Sequence, residues 1–236
     1  PVSIEVKEGA KPYRAKPYPI ALKNRQVFEN EFDRQCEIGA LRRLTPEEIE
    51  EDDRKWASAA FCVSKSNGTI RVVIDFRTLN AALKRREYHL PSIEEMFQEI
   101  LGFNFASVVD LNMGYLSIYL TKETCKLLTV VTTFGVFECV VLPMGVKPAT
   151  DIFQARMVSV FMSMPKNRPK PYIDDIFHGK GPTFIEHLEI LAEIFRLLFE
   201  AGMQVNLIKS ELCQKQVKFP WISLNAHRLH SYSQES

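Results

Sequence analysis

The chain has 236 residues, 46% of them hydrophobic and 25% charged, with 10 glycines and 13 prolines, which excludes disordered, collagen-like and low-complexity classes. Its formal charge of +1 conceals a segregation: residues 47–53 hold six acids, whereas residues 54–86 hold eight bases against Asp75 alone. No uncharged stretch exceeds eleven residues, about half of the ~20 that a membrane-spanning helix requires. Residues 1–25 carry five prolines or glycines and no period, which predicts an extended, polar and basic lead without the apolar core of a signal peptide. The chain therefore reads as a fragment or processed piece.

Phe28, Phe32 and Cys36 recur at helical spacing before Gly39, predicting a short amphipathic helix with a glycine stop. Thr45-Pro46-Glu47-Glu48 supplies an N-cap, a proline at the first helical position and a capping-box glutamate, so a second short helix is expected. From Ala59 the pattern becomes β, and Asn67-Gly68 between two such runs predicts a hairpin ending at Ile74. Pro91-Ser92 opens a helical stripe of Ile93, Met96, Phe97, Ile100 and Leu101 that stops at Gly102. Strands are expected at 105–111, 127–132 and 136–142, then a helix capped by Thr150 with Phe153, Met157, Val160 and Phe161 on one face. Residues 172–177 read as a short β segment around two acids, and Phe184, Leu188, Leu191, Phe195 and Leu198 as the longest helical stripe, closed by Gly202. This order lacks regular βαβ alternation and predicts an α+β fold with an antiparallel sheet.

Two acidic positions carry the chemistry. Neighbouring side chains of a strand point to opposite faces, so Asp174 and Asp175 line one pocket only if the chain turns there, as at a tight hairpin tip. The plainer alternative is a turn or helix-cap pair. Asp110, inside the β-branched run Ser107-Val108-Val109-Asp110-Leu111, is costly to bury without a partner or a cation, although a strand-end residue facing water is the alternative. Brought together, Asp110 and Asp174 form an oxygen-only site of the kind Mg²⁺ prefers, and two such ions about 3.5 to 4 Å apart can activate a hydroxyl and stabilise a leaving pyrophosphate.

Tyr172-Ile173-Asp174-Asp175, with Asp110-Leu111-Asn112-Met113-Gly114-Tyr115, resembles the catalytic signature of reverse transcriptases. Asp75-Phe76-Arg77-Thr78-Leu79-Asn80, Leu142-Pro143-Met144-Gly145 and Phe153-Gln154 resemble further blocks of that family. Glu186-His187-Leu188, the run from Ala201 to Asn206, Lys209-Ser210 and the lead around Gly9 and Tyr18 resemble gypsy-type long-terminal-repeat retrotransposons.

The resemblance implies the fingers and palm of a right-hand polymerase, with an antiparallel palm sheet backed by the Ser92 and Phe184 helices. It divides the chain into a lead and first helix, residues 1–45, and fingers and palm, residues 46–236; thumb, RNase H and integrase lie elsewhere on a Pol polyprotein. The implied activity is that of an RNA-directed DNA polymerase, a nucleotidyltransferase that uses an RNA or DNA template, a primer and deoxynucleoside triphosphates. Two Mg²⁺ ions, or Mn²⁺, would be held by Asp110, Asp174, the Leu111 carbonyl and, more weakly, Asp175. Tyr115 would floor the sugar pocket and exclude a 2′-hydroxyl; otherwise it is a core tyrosine on a strand. Lys65 and Arg71 would neutralise the triphosphate, or else are solvated hairpin charges. Met144 and Gly145 would line the nucleotide pocket, and Gln154, Tyr172 and Trp221 would meet template or primer, although a helix-surface glutamine needs no function. Asp75 and Arg77 are expected to pair structurally.

Five cysteines without a C-x-x-C spacing point to free thiols and an intracellular, cytoplasmic protein, within a virus-like particle if the resemblance holds. Two departures from the family pattern predict weak extension. Pro165, Pro169 and Pro171 stand where an apolar strand is usual, and Phe219-Pro220-Trp221 replaces an aromatic-leucine-glycine turn at the primer end. The alternative is a catalytically degenerate element remnant that at most binds nucleic acid. A third reading, a metal-dependent phosphohydrolase, lacks a positioned general base.

Overall fold

A computed structural model describes the chain except residues 52–53, 65–69, 85–102, 113, 165–168, 180, 182, 220–221, 226–228 and 231–236. It divides into two units, residues 1–86 with 118–149, and residues 87–117 with 150–236.

In the first unit the lead is extended and tied down by isolated bridges, Val2 to Leu120, Val6 to Leu83 and Arg14 to Ala57. Helix α1 (Leu22–Glu37) then forms on the expected spacing, burying Phe28 and Phe32 and ending before Gly39, whose φ of 74° only glycine adopts without strain. Those two rings pack against Phe134 and Phe137 at centroid separations from 4.8 to 5.7 Å. Strand β1 (Leu41–Arg43) leads to α2 (Pro46–Glu51), where the Thr45 hydroxyl accepts from Glu48 N–H and Glu48 accepts from Thr45 N–H, the capping box read from the sequence. Strands β2 (Ser58–Ser64) and β3 (Ile70–Ile74) pair antiparallel with Ser64 opposite Ile70; the turn between them, with Lys65, Asn67 and Gly68, lies outside the described residues.

Helix α3 (Arg77–Ala82) follows directly, and Asp75 holds Arg77 through two hydrogen bonds of 2.8 and 2.7 Å, the expected structural pair. The helix expected at residues 91–102 lies outside the described residues. A short helix not anticipated from the sequence, α4 (Lys122–Leu127), is capped by Thr121 and takes in Leu127, which was expected to begin a strand.

Strand β4 (Ala106–Asn112) belongs to the second unit, whereas β5 (Thr129–Thr132) and β6 (Gly135–Cys139) complete the first. The first unit's sheet runs β1-β6-β5-β2-β3, with β2 parallel to β5 and the other pairs antiparallel. The second unit's sheet is wholly antiparallel. Its order is β10 (Glu211–Gln214), β4, β8 (Asp175–His178), β7 (Lys170–Tyr172), and β9 (Gln204–Val205) also pairs with β4.

Helix α5 (Ala149–Val160) begins at Ala149, so Thr150 lies within its first turn and does not cap it. Helix α6 (Phe184–Glu200) has a complete capping box between Thr183 and Glu186. Its buried face is His187, Leu191, Ile194, Leu197 and Leu198, while Phe184 and Leu188 of the expected stripe are exposed. The stripe is rotated because His187 turns inward, where its Nε2 meets the Ser107 hydroxyl at 2.9 Å. Strands β11 (Gln216–Phe219), β12 (Ile222–Asn225) and β13 (Leu229–His230) form a separate antiparallel meander. Phe219 stands opposite Ile222, while Pro220 and Trp221 at the expected primer end lie outside the described residues. Among the described residues no helix is long and apolar enough to cross a membrane.

Candidate active site

The site is built on the central strand β4 and the β7–β8 hairpin beside it. Asp110 stands directly opposite Asp175, and Asp175 opposite Tyr172, so the three side chains line one face of the sheet. Asp110 directs its own N–H and carbonyl away from β8, to Ser210 Oγ at 3.0 Å and from Asn206 N–H at 2.8 Å. Asp110 and Asp175 are therefore a non-hydrogen-bonded pair, the kind whose backbones and side chains approach most closely.

Leu111 donates its N–H to the Asp174 carbonyl at 2.9 Å, and its own carbonyl projects to that same hairpin side. Asp174 occupies the turn itself. The reversal is made by Ile173, whose φ of 53° is left-handed, a conformation that costs a β-branched residue about 1–2 kcal/mol. The turn that two adjacent aspartates require is thus present, and Asp174 is brought to Asp110 across the ladder.

Burial pushes the Asp174 carboxyl above its ordinary value, and the charge of Asp110 adds to it. Asp175 is pushed up to about 6, first by burial and then by Asp110 and Asp174. Lys209 opposes both shifts and is the cation that faces this acidic group; it carries no role in the expectations drawn from sequence, although the Asn206…Lys209-Ser210 block marked its place. Asp174 Oδ1 is buried without a hydrogen-bond partner, an arrangement that a cation would relieve. Among the described residues no three His, Cys, Asp or Glu side chains are grouped to hold a metal ion by themselves. The acids fit a hard cation that takes the rest of its shell from water and phosphate oxygens, as Mg²⁺ commonly does.

Tyr115 lies on a 3-10 turn (Gly114–Ser117), not on a strand, and its ring stacks on Phe153 with centroids 4.5 Å apart. Its hydroxyl is hydrogen-bonded to Thr150, while burial and the Asp174 charge raise its pKa. Gly114 is demanded by packing: a Cβ there would meet Phe153 ring atoms at 2.6 and 2.8 Å.

Gln154 is not on a helix surface. Its amide is fully buried, donating to the Pro171 carbonyl at 2.7 Å and accepting from Ile173 N–H at 2.8 Å, so both ends hold the hairpin and neither is directed to a template. Because the Pro171 carbonyl turns away from β8 toward Gln154, the donor that proline lacks would also have pointed away from the ladder.

The remaining candidates belong to the first unit or lie outside the described residues. Arg71 is exposed on β3 opposite Val63, and Met144 is exposed beside Gly145, whose φ is 89°. Asn80 holds that turn by donating to the Gly145 carbonyl at 2.8 Å and accepting from Lys147 N–H at 2.7 Å. Lys65 and Trp221 lie outside the described residues.

The model of the family "Reverse transcriptase (RNA-dependent DNA polymerase)" matches residues 63–223, two thirds of the chain. The chain belongs to this reverse transcriptase family. It is 32% identical over 219 residues to the uncharacterized protein K02A2.6 of Caenorhabditis elegans, covering 92% of the present chain and 16% of that one. It is 29% identical over 203 residues to the transposon Tf2-3 polyprotein of Schizosaccharomyces pombe, covering 86% and 14% respectively. The reverse transcriptase domain therefore spans about a sixth of the curated relatives it matches. Among solved structures, a foamy viral protease-reverse transcriptase in complex with RNA/DNA hybrid superposes with a TM-score of 0.82 at 23% identity, covering 95% of this chain and 29% of that one. A foamy viral protease-reverse transcriptase dRH in complex with double-stranded DNA gives 0.80 at 24% identity, covering 95% and 38%. The fold is that of right-hand polymerase fingers and palm.

Proposed function

We propose that this reverse transcriptase domain performs template-directed DNA synthesis as part of a gypsy-type retrotransposon polyprotein that also carries RNase H and integrase. The observation that supports it most is that Asp110 on β4 stands directly opposite Asp175 of the hairpin that also carries Asp174, with an unpartnered Asp174 oxygen and Lys209 facing the acids. In the reaction a primer 3′-hydroxyl loses its proton and attacks the α-phosphorus of a deoxynucleoside triphosphate, and the bond to pyrophosphate breaks. Asp110, Asp174, the Leu111 carbonyl and, at neutral pH, Asp175 would hold Mg²⁺ or Mn²⁺. When bound, such ions supply positive charge to the attacking and leaving oxygens.

The chain's own residues set the rest. Gln154 fixes the backbone of the hairpin on which Asp174 and Asp175 stand. Tyr115, locked between Phe153 and the Thr150 hydroxyl, presents a rigid ring suited to excluding a 2′-hydroxyl. By the family resemblance, Lys65 and Arg71 neutralise the triphosphate, Met144 and Gly145 line the nucleotide pocket, and Tyr172 and Trp221 meet the primer-template. Work inside the cell, within a virus-like particle, follows from the same resemblance. The Pro171 backbone, which faces Gln154 and not β8, weakens one of the sequence grounds for expecting poor extension.

Primer extension on an RNA template with Mg²⁺ tests this. Incorporation by the unmodified chain and its loss in Asp174→Asn are expected; incorporation by both, or by neither, would remove the proposal.

A further inference from the structure

Strand β4 pairs with β8 without a break from Ser107 to Asp110, but on the other side the ladder is broken where Asp110 stands. Strand β9 pairs with Leu111 and Asn112, β10 pairs with Val108 and Ala106, and the turn joining β9 to β10 fills the gap between them. There, three hydrogen bonds close around Asp110. Its N–H donates to Ser210 Oγ at 3.0 Å, that hydroxyl donates to the Asn206 carbonyl at 2.7 Å, and Asn206 N–H donates to the Asp110 carbonyl at 2.8 Å. The turn is itself closed by Ser210 N–H and Lys209 N–H on the Asn206 carbonyl, at 3.0 and 3.2 Å, and by Lys209 N–H on Asn206 Oδ1 at 3.3 Å.

We propose that the Asn206–Ser210 turn is the positioning device for Asp110, with the Ser210 hydroxyl as its decisive group. An ordinary strand neighbour would satisfy Asp110 through backbone alone and would be indifferent to side-chain identity. Here a hydroxyl must accept from Asp110 and donate to Asn206 in the same rotamer, so only serine or threonine serves both bonds. Removing it leaves the Asp110 N–H of a partly buried strand without an acceptor, and the strand drifts where its carboxylate must stay in register with Asp174 and Asp175. The same five residues carry Lys209 to the acids, so one turn sets both the first aspartate and the charge that faces the acids.

The consequence for catalysis rests on the polymerase reading above, so the test has readouts that do not depend on activity. In the complete chain, amide hydrogen exchange at Asp110, Mn²⁺ binding followed by electron paramagnetic resonance, and steady-state extension are compared for wild type, Ser210→Ala and Ser210→Thr. In Ser210→Ala, protection of the Asp110 amide should fall while Val108 and Val109 stay protected. Mn²⁺ affinity and kcat should each drop on the order of tenfold or more, the usual effect of removing a group that orients a metal ligand, with KM for the nucleotide little changed. Ser210→Thr should restore all three.

An Asp110 amide that stays protected in Ser210→Ala would overturn the proposal, as would its exposure with Mn²⁺ affinity unchanged. Were wild type itself to bind no Mn²⁺ and extend no primer, the polymerase reading would fail, while selective loss of Asp110 protection in Ser210→Ala would still uphold the bracket.

Discussion

A glutamine side chain has one donating end and one accepting end, and Gln154 uses both on the backbone of the β7–β8 hairpin. The Pro171 carbonyl and the Ile173 N–H flank the position where the chain adopts a left-handed φ of 53°. That conformation persists because the surroundings over-determine it. Gln154→Ala removes both bonds inside a fully buried site and should destabilise the chain by about 2–6 kcal/mol, at roughly 1–3 kcal/mol for each of the two orphaned groups. Urea unfolding measures that loss. Extension assayed well below the melting temperature should also fall, because a shift of ~1 Å at the reacting centre can cost on the order of a hundredfold. Unchanged kcat in a folded Gln154→Ala would assign the residue to stability alone.

At the scale of elements, what was legible in the sequence followed from local chemistry. Phe28 and Phe32 fixed the buried face of α1, Thr45 and Glu48 capped α2, and Asn67-Gly68 separated two strands that do pair. Two of the misreadings share one cause, tertiary contact overriding local pattern. His187 is polar yet faces inward because Ser107 awaits it, which rotates the expected stripe of α6, and Gln154 is polar yet buried because a hairpin awaits it. Of the site, the acids and their turn were readable, since Asp110, Asp174 and Asp175 are costly in apolar strands without a shared purpose. The Ser210 bracket was not, because it joins residues a hundred positions apart.

The join between β4 and α5 offers a sharp test at this scale. Gly114→Ala would place a Cβ within 2.8 Å of the fully buried Phe153 ring on which Tyr115 stacks. Backbone strain is not involved, so the penalty is overpacking, about 1–3 kcal/mol, with a raised KM for the nucleotide as Tyr115 is displaced. Adding Phe153→Leu to Gly114→Ala should recover part of the stability, a coupling that a double-mutant cycle in denaturant would read; strict additivity would show that the ring is not what the glycine accommodates.

For the molecule as a whole, the acidic group makes stability depend on pH and on divalent cations together. Asp175 is raised to about 6 in the folded chain, from an unfolded value of roughly 4, and Asp174 moves in the same direction. Between those values the folded state binds more protons than the unfolded one, so this contribution is fully present below pH ~4 and is lost as pH rises through about 6. A cation competes with those protons and stabilises only the state that binds it. Millimolar Mg²⁺ should therefore raise the melting temperature clearly at about pH 7.5 and little at about pH 5, where protons already quiet the repulsion. Asp175→Asn removes one repelling charge: without Mg²⁺ it should melt above wild type at about pH 7.5, by less at about pH 5, and the two should converge only below pH ~4. Scanning calorimetry at the two pH values, with and without Mg²⁺, measures every term. A Mg²⁺ effect equal at both would mean that the ion binds away from these carboxylates.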